Sequence, residues 1–401
     1  MIIGIDIRPL MDEYYSGVSS YTLNLLVAIF QQDKKNHYKL FYNSYRDISV
    51  RLPKFNFSNV EIVRLNYPNK FLNYCLFKIF KRPKIDRLLG ADLFFLPNFN
   101  FIALSRECRK VITVHDLSFI RYPYYFSHRH NFWQKNVNLK KLLRSVDKII
   151  SVSNHTKEDI KNLCRIAPKK IQTVYSGISA KYKPIDKQDE YLAEVKKKYN
   201  LPDKFILFLG TIEPRKNIEG IIEAYEHFRD NQYSDLIHFA GQAEVKDDII
   251  KLVIAGHKAW GYKSVYERAR ASKYSRDIIF TDYVAGEDKP CLYNLAVMFV
   301  YPSFYEGFGF PPLEAAACGT PSIVSNCASL PEVMGNAAIL IDPYNITDLA
   351  QAMANLAYDK ILRANLSQKG IGRAKNFYWE KCAREMIEVF ESLKHNNINP
   401  I

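Results

Sequence analysis

The chain has 401 residues, 48% of them apolar, and carries 56 Lys and Arg against 42 Asp and Glu for a net charge of +14. That length supports two domains with cores of their own, and the charge is uneven: residues 1–200 hold +18 and residues 201–401 hold −4. No apolar run approaches the roughly 18–20 residues of a membrane span, Met1–Arg8 reads as a strand with charges inside it rather than a signal peptide, and the seven Cys show no metal spacing and no Cys-x-x-Cys, so they read as reduced, buried thiols in a cytosol-like compartment.

Strands and helices alternate along the first half. The patterns predict strands at Ile2–Ile7, Tyr38–Tyr42, Val60–Leu65, Leu93–Leu96, Val111–Val114 and Lys148–Val152, closing near Ile171–Tyr175, with helices at Val18–Phe30 and His155–Cys164 among them. Between the third and fourth of these strands lies Asn69–Arg87, which mixes Phe71, Leu72, Tyr74, Leu76, Phe77, Ile79 and Phe80 with Lys70, Lys78, Lys81, Arg82, Lys84 and Arg87. It reads either as one helix lying in a membrane interface or as an ordinary packed helix with a solvated basic end. Residues 181–204 are polar and suit an interdomain linker followed by a short helix. A second alternating set follows at Phe205–Leu209, Leu252–Ala255, Ile278–Phe280, Val297–Val300 and Ser322–Val324, and a last helix is expected over about Ala374–Lys394. This is the pattern of two doubly wound α/β domains, 1–183 and 184–375, followed by a terminal helical segment, 376–401. Ligands of such sheets bind beyond the carboxyl ends of the strands, so the loops there are the place to look for chemistry.

The most informative loop is Glu306-Gly307-Phe308-Gly309-Phe310-Pro311-Pro312-Leu313-Glu314. An apolar strand precedes it, and a helix over Leu313–Cys318, ended by Gly319, follows. Pro311 or Pro312 suits the first helical turn, where no N–H is required. Free N–H groups at a helix start favour phosphate, and Glu306 on the loop and Glu314 in the first turn can accept hydrogen bonds from hydroxyls. The plain alternative is a Gly- and Pro-rich helix cap. The strand at Phe205–Leu209 runs into Gly210-Thr211-Ile212-Glu213-Pro214-Arg215-Lys216-Asn217, where Arg215 and Lys216 either hold a diphosphate or are solvated surface charges. In the first half, the strand Val111–Val114 ends in His115-Asp116, a pair that is either structural or able to serve a sugar hydroxyl, with Asp116 orienting the ring.

The segment from Glu306 to Glu314 resembles the Glu-x7-Glu motif of family-4 retaining glycosyltransferases, which have the two-domain GT-B fold. Gly210–Asn217 resembles the Gly-x-x-x-x-Arg-Lys-Asn element of the same family, and His115-Asp116 resembles its His-Asp. Looser matches lie at Ser151–Thr156, at Tyr283-Val284 with Leu292-Tyr293, and at Ser329–Val333 with Asp342-Pro343. The resemblance implies two Rossmann-like domains facing across a cleft, with the terminal helix crossing back onto the first. It further implies that Glu306 contacts the donor sugar and Glu314 the ribose. Gly307, Phe308, Gly309 and Phe310 would meet the diphosphate and sugar through the backbone, Arg215 and Lys216 the diphosphate, and Val284 the base. His115 and Asp116 would stand near the sugar and acceptor. The loop Ser16-Gly17-Val18 resembles the family's Gly-Gly-[Ile/Val], with Ser16 in place of the first Gly; a positive φ there would strain a serine, so either the loop differs or Gly17 alone serves.

The implied activity is transfer of a hexose from a GDP- or UDP-linked donor to a saccharide or lipid-linked saccharide, with no metal or other cofactor. The expected mechanism is a same-face displacement in which the leaving phosphate takes the acceptor's proton. Many relatives with the Glu-Pro-Arg-Lys-Asn element are mannosyltransferases, so GDP-mannose is the expected donor. The basic first half suits a cytoplasmic protein held peripherally at the anionic inner face of the membrane. The alternatives are a sugar-nucleotide epimerase on the same fold and, on charge alone, a nucleic-acid binder, for which no motif is found.

Overall fold

The computed structural model describes residues 1–12, 16–69, 71–240 and 249–394. It divides into two compact units. The first comprises Met1–Arg121, His128–Ser179 and the chain from Phe377 onward; the second comprises Ala180–Asn376 and the short excursion Tyr122–Ser127. The boundary therefore falls at Ser179/Ala180 rather than 183/184, and the segment after His115-Asp116 leaves the first unit for six residues.

The first unit holds a parallel sheet of seven strands: β1 (Ile2–Asp6), β2 (His37–Asn43), β3 (Val60–Leu65), β4 (Leu93–Leu96), β5 (Arg109–Val114), β6 (Lys148–Ser151) and β7 (Ile171–Thr173), in the order β3-β2-β1-β4-β5-β6-β7. The second holds six: β8 (Phe205–Leu209), β9 (Lys251–Ala255), β10 (Ile278–Asp282), β11 (Met298–Tyr301), β12 (Ser322–Ser325) and β13 (Ile339–Ile341), in the order β10-β9-β8-β11-β12-β13. Helices cover parallel strands on both faces, so such strands carry unbroken apolar runs. Every residue of β4 (Leu-Phe-Phe-Leu) and of β8 (Phe-Ile-Leu-Phe-Leu) is buried accordingly. β13 has only three residues, one of them exposed, and shows no alternation that sequence inspection could register. In each sheet the winding direction reverses beside the first strand, between β1 and β4 and between β8 and β11. These switch points are where the flanking loops diverge and leave a crevice.

The last helix starts at Trp379, five residues later than the expected Ala374, and ends at Lys394 as expected. A helix over Lys360–Ala374 closes the second unit, and a separate helix over Trp379–Lys394 belongs to the first; residues 395–401 lie outside the described residues. The break has a tertiary cause. The Ile178 N–H donates to Phe377 O at 3.0 Å, and a Cβ on Gly177 would fall 2.3 Å from the Trp379 nitrogen, so only glycine admits this approach. The final helix then packs on the helix Gly17–Gln32 through Tyr21 against Trp379, and reaches the sheet through Phe95 against Phe390.

Asn69–Arg87 is likewise not one helix. Phe71–Phe80 forms a π-helical stretch and Ile85–Leu89 a separate short helix, while Lys70 lies outside the described residues. Lys81 turns to φ 52° and Pro83 has no N–H to continue the ladder, which together end the first stretch. Leu72 and Phe77 enter the core; Phe71, Ile79, Phe80 and Leu88 stay exposed beside Lys78, Lys81, Arg82 and Arg87.

Candidate active site

In the second unit, β8 and β11 are neighbours, so the loops that follow them emerge side by side. Beyond Leu209 the chain makes a tight 3-10 turn, Pro214–Lys216, and Asn217 adopts φ 55° before the next helix. Beyond Tyr301 come Pro302, Ser303 and the Glu306 loop. The two loops meet through charge. Lys216 Nζ lies 2.5 Å from Glu306 Oε1, and Arg215 Nη1 lies 3.2 Å from Glu306 Oε2. Lys216 also donates to the Tyr301 hydroxyl at 2.8 Å, and Ser303 Oγ donates to Glu306 Oε1 at 2.6 Å. Arg215 pairs in addition with Glu213 at 2.7 Å and donates to Tyr305 O.

Arg215 and Lys216 are thus neither solvated surface charges nor separate from Glu306. Lys216 is 6% exposed and Glu306 8%, and both cations share the carboxylate. Burial pushes the Glu306 carboxyl up, but the charges of Lys216 and Arg215, with hydrogen bonds from Lys216 and Ser303, outweigh it and hold the group at about 2. Burial, followed by the neighbouring Arg215, pulls the Lys216 ammonium below its usual value. Sequence reasoning did not find Tyr301 or Ser303; the only available signal was their placement at the strand end and three residues before Glu306.

The glycine loop is locked from below. Ser329 Oγ lies 3.0 Å from both Glu306 O and Phe308 O. Gly309 takes φ 98°, and a Cβ there would meet Leu330 at 2.5 Å. The helix begins at Phe310, with Pro in its first turn, and runs to Ala317. Glu314 is therefore in the second turn, not the first. It accepts a hydrogen bond from the Tyr293 hydroxyl at 2.8 Å. Val284 is buried just beyond β10, in a loop anchored by the buried Asp288, which accepts from Tyr191, Lys198 and Tyr199.

In the first unit, His115 follows β5, next to β4. Its Nε2 lies 2.9 Å from Pro97 O at the end of β4, and its ring stands edge-on to Tyr21 at 4.7 Å. Burial lowers its pKa below 6.5, so the ring is neutral at pH 7. A neutral ring facing a carbonyl through Nε2 carries its proton there and leaves Nδ1 as an acceptor. Asp116 does not bond the ring as its orienting partner. Its Oδ1 accepts from the N–H and hydroxyl of Ser118, capping the next turn, and Pro97 and Tyr21 hold the imidazole instead. Ser16 is not strained: it is extended, φ −76°, and its hydroxyl accepts from Ser19 N as the cap of the helix that begins at Gly17.

Two doubly wound parallel-sheet units, with a buried carboxylate–cation cluster at one switch point, define a GT-B glycosyltransferase. Residues 192–373 match the family described as Glycosyl transferases group 1, and residues 15–182 match Glycosyltransferase Family 4. The chain belongs to this family of transferases. It is 32% identical to the O-antigen chain mannosyltransferase B of Escherichia coli over 73% of each chain. It is 31% identical to the serotype-specific mannosyltransferase WbdA of Escherichia coli over 66% of its own length, a match that spans 31% of that longer protein. Among solved structures, sucrose-phosphate synthase from Thermosynechococcus elongatus superposes with a TM-score of 0.72, at 20% identity, over 99% of this chain and 100% of that one.

Proposed function

We propose that the protein transfers mannose from GDP-mannose to a saccharide acceptor, with retention of anomeric configuration and without a metal. The observation that carries this reading is the Glu306–Lys216–Arg215 cluster at the β8/β11 switch point. It presents two cations with limited solvation beside a helix start, which suits a departing diphosphate. The relatives' names favour mannose.

In this scheme Lys216 and Arg215 stabilise charge on the leaving diphosphate. Glu306 stays ionised, aligns both cations and accepts hydrogen bonds from the donor sugar. Backbone groups of Gly307–Phe310 meet the phosphates and sugar, Glu314 the ribose hydroxyls, and Val284 the base. No carboxylate is assigned as a nucleophile; the bond from the anomeric carbon to the phosphate oxygen breaks as the acceptor oxygen attacks from the same face, and that phosphate oxygen takes the acceptor's proton. From the first unit, Gly17 serves the donor through its N–H, and His115 contributes Nδ1 as an acceptor for a sugar hydroxyl. Asp116 supports this loop by capping it.

The test is calorimetric titration, in EDTA, of GDP-mannose, UDP-glucose, UDP-N-acetylglucosamine and the parent diphosphates. Selective binding of GDP-mannose, weakened in Lys216→Ala, is the expected result. Binding of no donor, or binding indifferent to Lys216→Ala, rejects the assignment. Conversion of the donor sugar to its epimer without acceptor would identify an epimerase instead.

We further propose that the exposed Phe71, Ile79, Phe80 and Leu88, among Lys78, Lys81, Arg82 and Arg87, hold the protein at an anionic cytoplasmic membrane face that presents a lipid-linked acceptor. No described helix is long and apolar enough to cross a membrane. Co-sedimentation with anionic vesicles at low salt, lost in Ile79→Glu with Phe80→Glu, is expected; absence of wild-type binding refutes it.

A further inference from the structure

The excursion Tyr122–Ser127 gives the second unit an aromatic cluster that the donor-site reading does not use. Tyr125 stacks on Phe304 with ring centroids 5.7 Å apart and planes within 8°. Phe304 in turn lies 4.8 Å from Tyr344, and Tyr124 lies 4.6 Å from Tyr125. Below them Tyr122 rests against the buried Tyr305 at 5.8 Å. The outer rings are open to solvent: Tyr124 is 62% exposed and Tyr344 69%. Exposed aromatic groups gathered in one place mark a binding surface more often than chance exposure does.

We propose that Tyr124, Tyr125, Phe304 and Tyr344 form a stacking platform for the acceptor saccharide, an inference that rests on the glycosyl-transfer reading above. Three observations select a sugar. The four side chains carry no charge, which disfavours a phosphate or nucleic-acid backbone. The three tyrosines carry phenol hydroxyls at the edges of apolar faces, the pairing that suits a pyranose, with its C–H face and equatorial hydroxyls. The platform is also continuous with the donor residues: Phe304 stands two residues before Glu306, and its N–H donates to Arg215 O at 3.0 Å. Chain movement that reseats Arg215 and Glu306 would thus be felt directly by the stacked ring.

Saturation-transfer NMR with mannotriose, and maltotriose as comparison, tests this, alongside calorimetry with GDP. The variant is Tyr124→Ala with Tyr344→Ala, both exposed and outside the core, with Tyr124→Phe and Tyr344→Phe as the conservative pair. Saturation is expected to reach the ring C–H protons of mannotriose. Affinity should fall about tenfold in the alanine pair and be largely kept in the phenylalanine pair, as loss of one to two stacking contacts requires. GDP affinity should be unchanged throughout. Wild-type mannotriose affinity in the alanine pair, or no saccharide binding by the wild type, overturns the platform. If mannotriose binding depends on the tyrosines but GDP does not bind, the platform stands and the donor reading falls.

Discussion

Lys216 and Glu306 are 90 residues apart in sequence, and their charged atoms are 2.5 Å apart in the structure. Both sit at the ends of adjacent parallel strands, and both are buried. Such a cluster is costly to break from one side, because Glu306 would keep its desolvation cost with Arg215 as the one cation left to offset it.

Replacing Lys216 with Ala should therefore lower stability by about 3 kcal/mol, and Lys216→Ala with Glu306→Ala should cost less than the sum of the single changes. Chemical denaturation of the three variants measures this. Additive losses would show that the contact carries no coupling. Turnover should fall by about two orders of magnitude or more in either single variant, if removing a charge-stabilising group costs what it does elsewhere.

The carboxyl of Glu306 is held at about 2, below its ordinary 4.5. A depressed folded value means that the stabilisation is complete above pH 4.5 and is lost as the pH falls toward 2. Glu306→Gln should flatten the stability profile in that window while lowering stability at pH 7. Equal slopes for both proteins between those limits would remove Glu306 as the source.

His115 is neutral because burial lowers its pKa below 6.5. In the free enzyme, kcat/KM should show an acid limb, falling only below pH 6.5, as protonation of His115 removes the Nδ1 acceptor. His115→Asn should abolish that limb and reduce the plateau. A limb that persists unchanged in the variant assigns it to another group.

Ser16 caps the first helix, so Ser16→Ala should cost about 1 kcal/mol and Ser16→Gly only a few tenths. Thermal melts compare the two. A large loss on Ser16→Gly would mean that the hydroxyl does more than cap.

Gly177→Ala places a methyl 2.3 Å from the Trp379 nitrogen, so the segment that docks the last helix must shift. Limited proteolysis should then cut near residue 377 far faster than in the wild type. Unchanged cleavage would show that the docking tolerates a side chain there.

Much of the architecture was legible because strands buried on both faces need unbroken apolar runs. Leu93–Leu96 and Phe205–Leu209 could be delimited to the residue on that ground, whereas β13, with three residues and one exposed, could not. The motif residues were legible for a different reason: Gly309 requires a left-handed backbone, Arg215, Lys216 and Glu306 stand on the loops between strand and helix, and Glu314 lies in the helix that follows. Local pattern says where a side chain leaves the chain, but not what it meets. Only the sheet order, which sets β8 beside β11, brought Lys216 to Glu306. Only tertiary contact turned Asp116 toward Ser118, held His115 against Pro97 and Tyr21, delayed the start of the terminal helix to Trp379, and joined Tyr125 to Phe304, because each of these depends on a partner distant in sequence or on a backbone course that periodicity does not encode.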